Sequence, residues 1–192
     1  MKLVIMDRDG TINVESTEFI KSPEEWTALP GALEAIARLN HAGWHVVVAT
    51  NQSGLGRGLF DVASLNAMHA KMHKELAALG GRVDAIFYCP HTPDDNCHCR
   101  KPEPGLFEQI GERYGVDLKT VPVVGDALRD VSAGAAAGCQ PNLVLTGNGS
   151  IYQGNDLPPT FPAGTRVHKD LGAFADWLVA KDAPATTVSA SD

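Results

Sequence analysis

Five short, mostly apolar runs recur along the chain: Lys2 to Met6, His45 to Ala49, Ala85 to Tyr88, Val121 to Val124 and Leu143 to Leu145. They are rich in β-branched residues and lack polar alternation, which predicts strands buried on both faces. Between them the apolar spacing lengthens to three and four. Ala32 to Ala42 carries Leu33, Ile36 and Leu39 on one face, and Val62 to Leu79 carries Leu65, Met68, Met72, Leu76 and Leu79, so both segments read as helices. Pro104 suits the first turn of a helix running to about Tyr114, with Gly115 as its stop, and Leu128 to Ala137 ends at Gly138. A last helix is expected over Leu171 to Lys181.

Strands alternating with crossover helices predict an α/β fold: a doubly wound, Rossmann-like parallel sheet with helices on both faces. Residues 1–182 are read as a single domain and 183–192 as a disordered tail with little to bury. Gly147 to Ala163, rich in Gly, Asn and Pro, reads as a long loop to which no chemistry is assigned. The stretches from Asp9 to Val48 and from Thr50 to Lys101 are too short for a large cap domain beyond the sheet's own helices, so an open site is expected.

At 192 residues the chain has room for one well-buried core. Its 44% hydrophobic and 20% charged content is that of an ordinary globular protein. No apolar stretch approaches the roughly 18 residues of a membrane span, and the start lacks a secretory pattern. The expectation is a cytoplasmic protein that does not engage a membrane. A net charge of −7 argues against nucleic acid as partner, since that binding needs clustered Lys and Arg. Small phosphorylated substrates stay open, because a metal ion and a few basic side chains suffice for them. A monomer is the expected state.

The candidate chemistry sits at the strand exits. Asp7-Arg8-Asp9-Gly10-Thr11 follows the first strand directly, placing two carboxylates where an open α/β sheet binds ligands. Asp7 is placed to attack phosphorus and form an aspartyl-phosphate, and Asp9 to act as general acid and then base. The second strand exits into Thr50-Asn51-Gln52-Ser53, a hydroxyl and exposed backbone N–H groups suited to phosphate oxygens; the plain alternative is a turn. Arg100-Lys101 precedes the Pro104 helix, so Lys101 can screen the transferring phosphoryl and Arg100 can fork onto substrate. Gly125-Asp126 ends another strand, with Asp130 four residues on. Three acids at two strand ends make an oxygen-rich site suited to catalytic Mg2+, with Asp126 as a direct ligand.

A second metal is expected nearby. Of four cysteines, Cys89, Cys97 and Cys99 fall within one short stretch that also holds His91 and His98. Three thiolates and an imidazole match a closed tetrahedral Zn2+ site with Cys89, His91, Cys97 and Cys99 as ligands. His98 in place of His91, and a disulfide in place of zinc, are the alternatives. Four ligands leave no open position, so this zinc is assigned to architecture, clipping the loop that presents Arg100 and Lys101. Cys139 reads as a buried small hydrophobe. His69 and His73 have metal-compatible helical spacing but no third ligand, and read as a helix flank. Gly54-Leu55-Gly56-Arg57-Gly58 lacks dinucleotide-binding spacing and reads as a rim loop that can aim Arg57 at substrate.

Asp7-x-Asp9-Gly10-Thr11, Thr50, Lys101 and Gly125-Asp126-x-x-x-Asp130, in this order, resemble the haloacid dehalogenase superfamily of phosphohydrolases. The resemblance implies Asp7 as nucleophile, Asp9 as acid/base, and Thr50 and Lys101 as phosphoryl holders. It also implies Mg2+ held by Asp7, the Asp9 carbonyl and Asp126, with Asp130 one step back from the ion. Within the superfamily the longer strings Asp7 to Val14, Thr50 to Gly54 and Cys99 to Gly105, together with the cysteine loop, are similar to the heptose 1,7-bisphosphate phosphatase family. That similarity implies removal of a C7 phosphate from a sugar bisphosphate whose second phosphate engages Arg57 or Arg100, beside Asn51, Gln52 and Ser53. It aligns Glu15 to Glu18 with a substrate-contacting stretch of different composition. The short His91 to Cys97 spacing is shared with histidinol-phosphate phosphatases, and Ala127 stands where a Lys is often found. Two alternatives stay open here: histidinol phosphate as substrate, and a zinc-organised phosphate-binding module without turnover.

Overall fold

The computed structural model describes residues 1–184. The part of the expected tail from 185 onward lies outside the described residues.

Among the described residues six strands form one sheet: β1 (Leu3–Met6), β2 (His45–Asn51), β3 (Ala85–Cys89), β4 (Pro122–Gly125), β5 (Gln140–Val144) and β6 (Arg166–His168). All neighbours pair in parallel, in the spatial order β3-β2-β1-β4-β5-β6. This is the doubly wound arrangement, and the winding direction reverses between β1 and β4. A reversal of this kind opens a crevice at the carboxyl ends of the two strands. The register brings Met6 opposite both Val48 and Val124, so the residues that follow β1, β2 and β4 emerge side by side.

The helices are α1 (Ala32–His41), α2 (Ser53–Gly56), α3 (Val62–Ala78), α4 (Gly105–Tyr114), α5 (Leu128–Ala136) and α6 (Leu171–Asp182). Strand alternation divides the core between them. Val4, Met6, Val46 and Val48 face α1, α3 and α6, whereas Leu3, Ile5, Val47, Ala49 and Val123 face α4 and the Ala133 side of α5. Each buried Val, Leu or Ile contributes roughly 1.5–3 kcal/mol, so the sheet is stabilised from both sides and its strand ends are held in place.

The expected elements form within a residue or two of the predicted bounds. Pro104 takes the N-cap position of α4, and Gly115 closes that helix in a left-handed conformation (φ 61°), as its missing Cβ allows. Three differences have local causes. β5 begins at Gln140 and includes Pro141 and Asn142, a polar start that hides it in the sequence. The buried Asn142 amide donates to the Val123 and Gln140 carbonyls, and its Oδ1 faces His168 Nε2 at 2.9 Å. β6 is only three residues long, too short to show a pattern. Gly54 to Gly58, read as a rim loop, instead begins inside a helical turn over Ser53–Gly56.

Candidate active site

Asp7 leaves β1 with its N–H bonded to the Val124 carbonyl (3.0 Å), and Asp126 leaves the adjacent strand one residue beyond that level. Both are buried. Two glycines crowd this point: a Cβ on Gly10 (φ +82°) or Gly147 (φ +51°) would meet the Asp126 carboxylate. Their positive φ and absent side chains let the loops after β1 and β5 close around the acid. The second of these loops is the one to which the sequence assigned no chemistry. Its Asn148 N–H donates to Asp126 Oδ2 (2.8 Å), and the Thr146 hydroxyl donates to the Gly10 carbonyl (2.6 Å).

Lys101 enters the same centre from the loop between β3 and α4. Its ammonium donates to Asp7 Oδ1 (2.8 Å) and the Ala49 carbonyl (2.7 Å), and lies 2.7 Å from Asp130 Oδ1 as an ion pair. Two of its donors are thus hydrogen-bonded, while Asp130 Oδ1 faces it by charge alone and has no hydrogen-bond partner among the described residues. Asp130 also accepts from the Ala127 N–H (3.1 Å), so it both anchors Lys101 and caps the first turn of α5.

Asp7, Asp126 and Asp130 each offer an oxygen within 4.8 Å of the others. Burial, reinforced by the charge of Asp130 and only partly offset by Lys101, raises the Asp7 carboxyl to about 6. Burial and the charges of Asp7 and Asp130 push Asp126 up to about 10. Asp126 Oδ1 is buried without a hydrogen-bond partner among the described residues. A hard divalent cation relieves this crowding and satisfies that oxygen, and an all-oxygen donor set fits Mg2+.

Asp9 behaves in the opposite way. Burial favours its neutral form, but the charge of Arg8 and hydrogen bonds from Asn13, Arg8 and Gln52 outweigh it and hold the carboxyl below its ordinary range. Arg8 Nε (2.9 Å) and Nη2 (2.7 Å) and Asn13 Nδ2 (2.9 Å) all donate to Oδ1, while Gln52 Nε2 donates to Oδ2 (3.1 Å). The Asp9 carboxylate is not in the three-acid cluster; its expected contribution to the metal was its main-chain carbonyl.

Asp9, Thr50, Asn51, Gln52, Ser53, Arg57, Arg100 and Lys101 all line one cleft of about 260 Å3 with Asp7. Within it, Asn51 and Gln52 are differently engaged than as plain substrate contacts. The Asn51 side chain clamps the Lys101 backbone, donating to its carbonyl (3.1 Å) and accepting from its N–H (3.0 Å). Gln52 Nε2 bridges Asp9 and the Thr50 hydroxyl (2.9 Å). Arg100 keeps a buried Nη1 without a partner among the described residues, a donor held ready for an anion. Arg57 lies over the Phe19 ring at 5.7 Å, and Phe19 holds a left-handed backbone (φ 67°), a strained state for an aromatic residue.

Sequence reasoning missed Arg129 in the first turn of α5, which lines the cleft and lies 4.0 Å from Glu15. The signal was present: Ala127 lacks a cation, and Arg129 supplies one two positions on. Arg8 and Phe19 were also missed, because His69 beside Arg8 and Arg57 over Phe19 are distant from them in sequence.

The four expected thiolate and imidazole ligands converge. Cys89 Sγ lies 3.0 Å from Cys99 Sγ, 3.6 Å from Cys97 Sγ and 3.5 Å from His91 Nδ1, and His91 Nδ1 lies 3.3 Å from Cys99 Sγ. All four cysteines are free, which disfavours the disulfide alternative. His98 instead turns to Glu108 (2.7 Å) and Glu103 (3.8 Å), so it does not replace His91. Burial raises Cys89 and Cys99. Cys97 is held down to about 7 against burial by the Arg100 backbone N–H and its neighbours in the cluster. The donor set is that of a closed tetrahedral Zn2+ site. His69 and His73 join no such cluster among the described residues.

A family model described as HAD-hydrolase-like matches residues 98–173. A D-glycero-beta-D-manno-heptose-1,7-bisphosphate 7-phosphatase of Bordetella bronchiseptica is 61% identical over 93% of this chain and 98% of its own length. One of the same description from Pseudomonas aeruginosa is 52% identical over 92% of this chain and 97% of its own. The crystal structure of the B. bronchiseptica D,D-heptose 1,7-bisphosphate phosphatase complexed with magnesium and phosphate superposes with a TM-score of 0.89, at 60% identity, covering 94% of this chain and 99% of that one.

Proposed function

We propose that this chain, which belongs to the D-glycero-β-D-manno-heptose-1,7-bisphosphate 7-phosphatase family, is a Mg2+-dependent phosphoric monoester hydrolase that removes the C7 phosphate of heptose 1,7-bisphosphate. The observation that carries this reading is the Asp7 carboxylate held 2.8 Å from a buried Lys101 at the β1–β4 crevice, beside an Asp126 oxygen left without a partner.

Asp7 is the nucleophile. Its oxygen bonds to phosphorus as the bond to the C7 oxygen breaks, and Asp9 delivers a proton to the departing alkoxide. The resulting aspartyl-phosphate is cleaved by water, whose proton returns to Asp9, and Asp7 and inorganic phosphate are released. Lys101 favours the ionised form of Asp7 against burial and offers positive charge to the transferring phosphoryl; Thr50 and the backbone that follows it hold the phosphoryl oxygens. Asp7, the Asp9 main-chain carbonyl and Asp126 would hold Mg2+, with Asp130 occupied by Lys101 and the Ala127 N–H. Bound there, the ion would neutralise the crowded carboxylates and the phosphoryl charge, the main requirement of a loose phosphoryl-transfer transition state.

Arg57, Arg100 and Arg129 line the cleft and offer cations to the second phosphate of the substrate, with Glu15 beside Arg129. Asn51 and Gln52 support the site by holding Lys101 and Asp9, while Ser53 contributes directly at the start of α2. The Cys89–His91–Cys97–Cys99 cluster serves as a structural Zn2+ clip that fixes Arg100 and Lys101. The names of the similar proteins support the β-anomer as substrate. We read residues 1–182 as one catalytic unit, monomeric and cytoplasmic, in the assembly of nucleotide-activated heptose for lipopolysaccharide core. Parallel assays decide the substrate: the expected result is turnover of heptose 1,7-bisphosphate well above that of histidinol phosphate. Preference for histidinol phosphate would overturn the assignment.

A further inference from the structure

Behind the catalytic acids lies a buried chain of polar groups that the mechanism does not use. Arg8, between the two acids in sequence, is completely buried. A buried guanidinium is tolerated only when its charge and donors are matched. Nε and Nη2 meet Asp9 Oδ1, and the remaining branch, Nη1, lies 3.2 Å from Nε2 of His69 on α3. His69 is itself buried. Burial, the Arg8 charge and His73 lower its pKa to about 3. Being neutral and facing a guanidinium that can only donate, His69 Nε2 is the acceptor, and its proton resides on Nδ1.

We infer that Arg8 and His69 are positioning residues for Asp9: α3 holds Arg8 through His69, and Arg8 saturates one oxygen of Asp9 so that Oδ2 alone carries the catalytic proton. The inference rests on the phosphatase reading above. With two donors from Arg8 and one from Asn13, Oδ1 has no lone pair directed at the cleft. Oδ2 accepts a single hydrogen bond, from Gln52, and keeps a lone pair for the proton exchanged with the leaving oxygen and with water. The arrangement also restrains rotation of the carboxyl about its Cβ–Cγ bond, because the guanidinium fork is rigid and His69 prevents that fork from swinging. Helix α3 thereby fixes the direction of proton transfer at a centre with which it shares no catalytic residue. The two histidines read from the sequence as a helix flank therefore divide: His69 points behind Asp9, and it is the one that matters for chemistry.

The test compares His69→Leu, which removes the acceptor, with His69→Gln, whose Oε1 reaches the position of Nε2. Steady-state kinetics on heptose 1,7-bisphosphate are run for both beside the wild type, together with thermal melting. The expected result is a fall in kcat of about tenfold or more for His69→Leu, a fraction of what positioned acid–base catalysis supplies, with KM within about twofold of wild type. His69→Gln is expected to recover most of the loss. If His69→Leu does not fold, Arg8→Lys, which keeps the buried charge but loses the fork, takes its place with the same expectation against His69→Gln. A proportional rise in KM at constant kcat, equal impairment of the Leu and Gln variants, or undisturbed kcat in a folded variant would each overturn the inference. Absence of wild-type turnover would instead overturn the sugar-bisphosphatase reading, so the two failures are distinguishable.

Discussion

Two groups of metal-type ligands lie on either side of Lys101, and they differ in what they leave open. The acid cluster, Asp7, Asp126 and Asp130, is buried at strand ends, crowded enough to drive two of its carboxyls toward protonation, and lined on one side by a cleft. The thiolate cluster, Cys89, His91, Cys97 and Cys99, spans the end of β3 and the loop after it and brings four ligand atoms together by itself. Incomplete protein ligation leaves room for phosphate and water, which suits an exchangeable ion taking part in a reaction. Complete ligation suits an ion that holds a loop. Lys101 connects them: the thiolate loop delivers its ammonium into the acid cluster.

Several experiments sharpen or break this division. The largest effect is expected at the acids. Asp7→Asn should lower kcat by at least about a thousandfold, as loss of a nucleophile does elsewhere, while circular dichroism shows an intact fold. Substantial residual turnover would move the nucleophile elsewhere. The thiolates should instead be read in stability. Chelation of zinc, or Cys99→Ser, should lower Tm by about 5 °C or more, with activity falling as Lys101 loses its anchor; unchanged melting and activity would remove the zinc clip from the account.

A smaller effect is expected at the cleft rim. Arg129→Ala should raise KM for the bisphosphate about tenfold through loss of a charge-assisted contact, with kcat little changed. A monophosphate lacking the second anion should show less of that loss, and equal loss on both would argue against a second-phosphate role.

The smallest effect is one of pH. Because folding raises the Asp7 and Asp126 carboxyls to about 6 and about 10, the metal-free protein favours their protonated forms. That contribution to stability is complete below the ordinary carboxylate pKa of about 4. It is lost as pH rises through about 6 and on toward 10. Mg2+ relieves the same repulsion, so the Tm gain on adding Mg2+ should be larger at alkaline than at mildly acidic pH. Calorimetry at two pH values checks this, and an equal gain at both would contradict the crowding of the acids.

Much of this was legible in the chain because it is local. Continuous apolar runs mark strands buried on two faces, and Pro104 and Gly115 bracket α4 by their backbone constraints. The acids sit at strand exits, which one residue of offset from the apolar run reveals. What stayed hidden depends on the tertiary fold. β6 has three residues and no periodicity, and the polar start of β5 is stabilised by the Asn142–His168 pair. Asn51 reads as a ligand contact until Lys101, distant in sequence, closes on it. Arg8 and His69, separated by 61 positions, cannot be paired from spacing alone. The loop from Gly147 showed only its turn composition, although its first two residues press on Asp126.

If Asp7 carries the phosphoryl group between substrate and water, rapid acid quench of the enzyme during turnover followed by peptide mass spectrometry will find one phosphoryl group on the peptide bearing Asp7, and none there in Asp7→Asn. A phosphoryl group on any other side chain excludes Asp7 as the carrier.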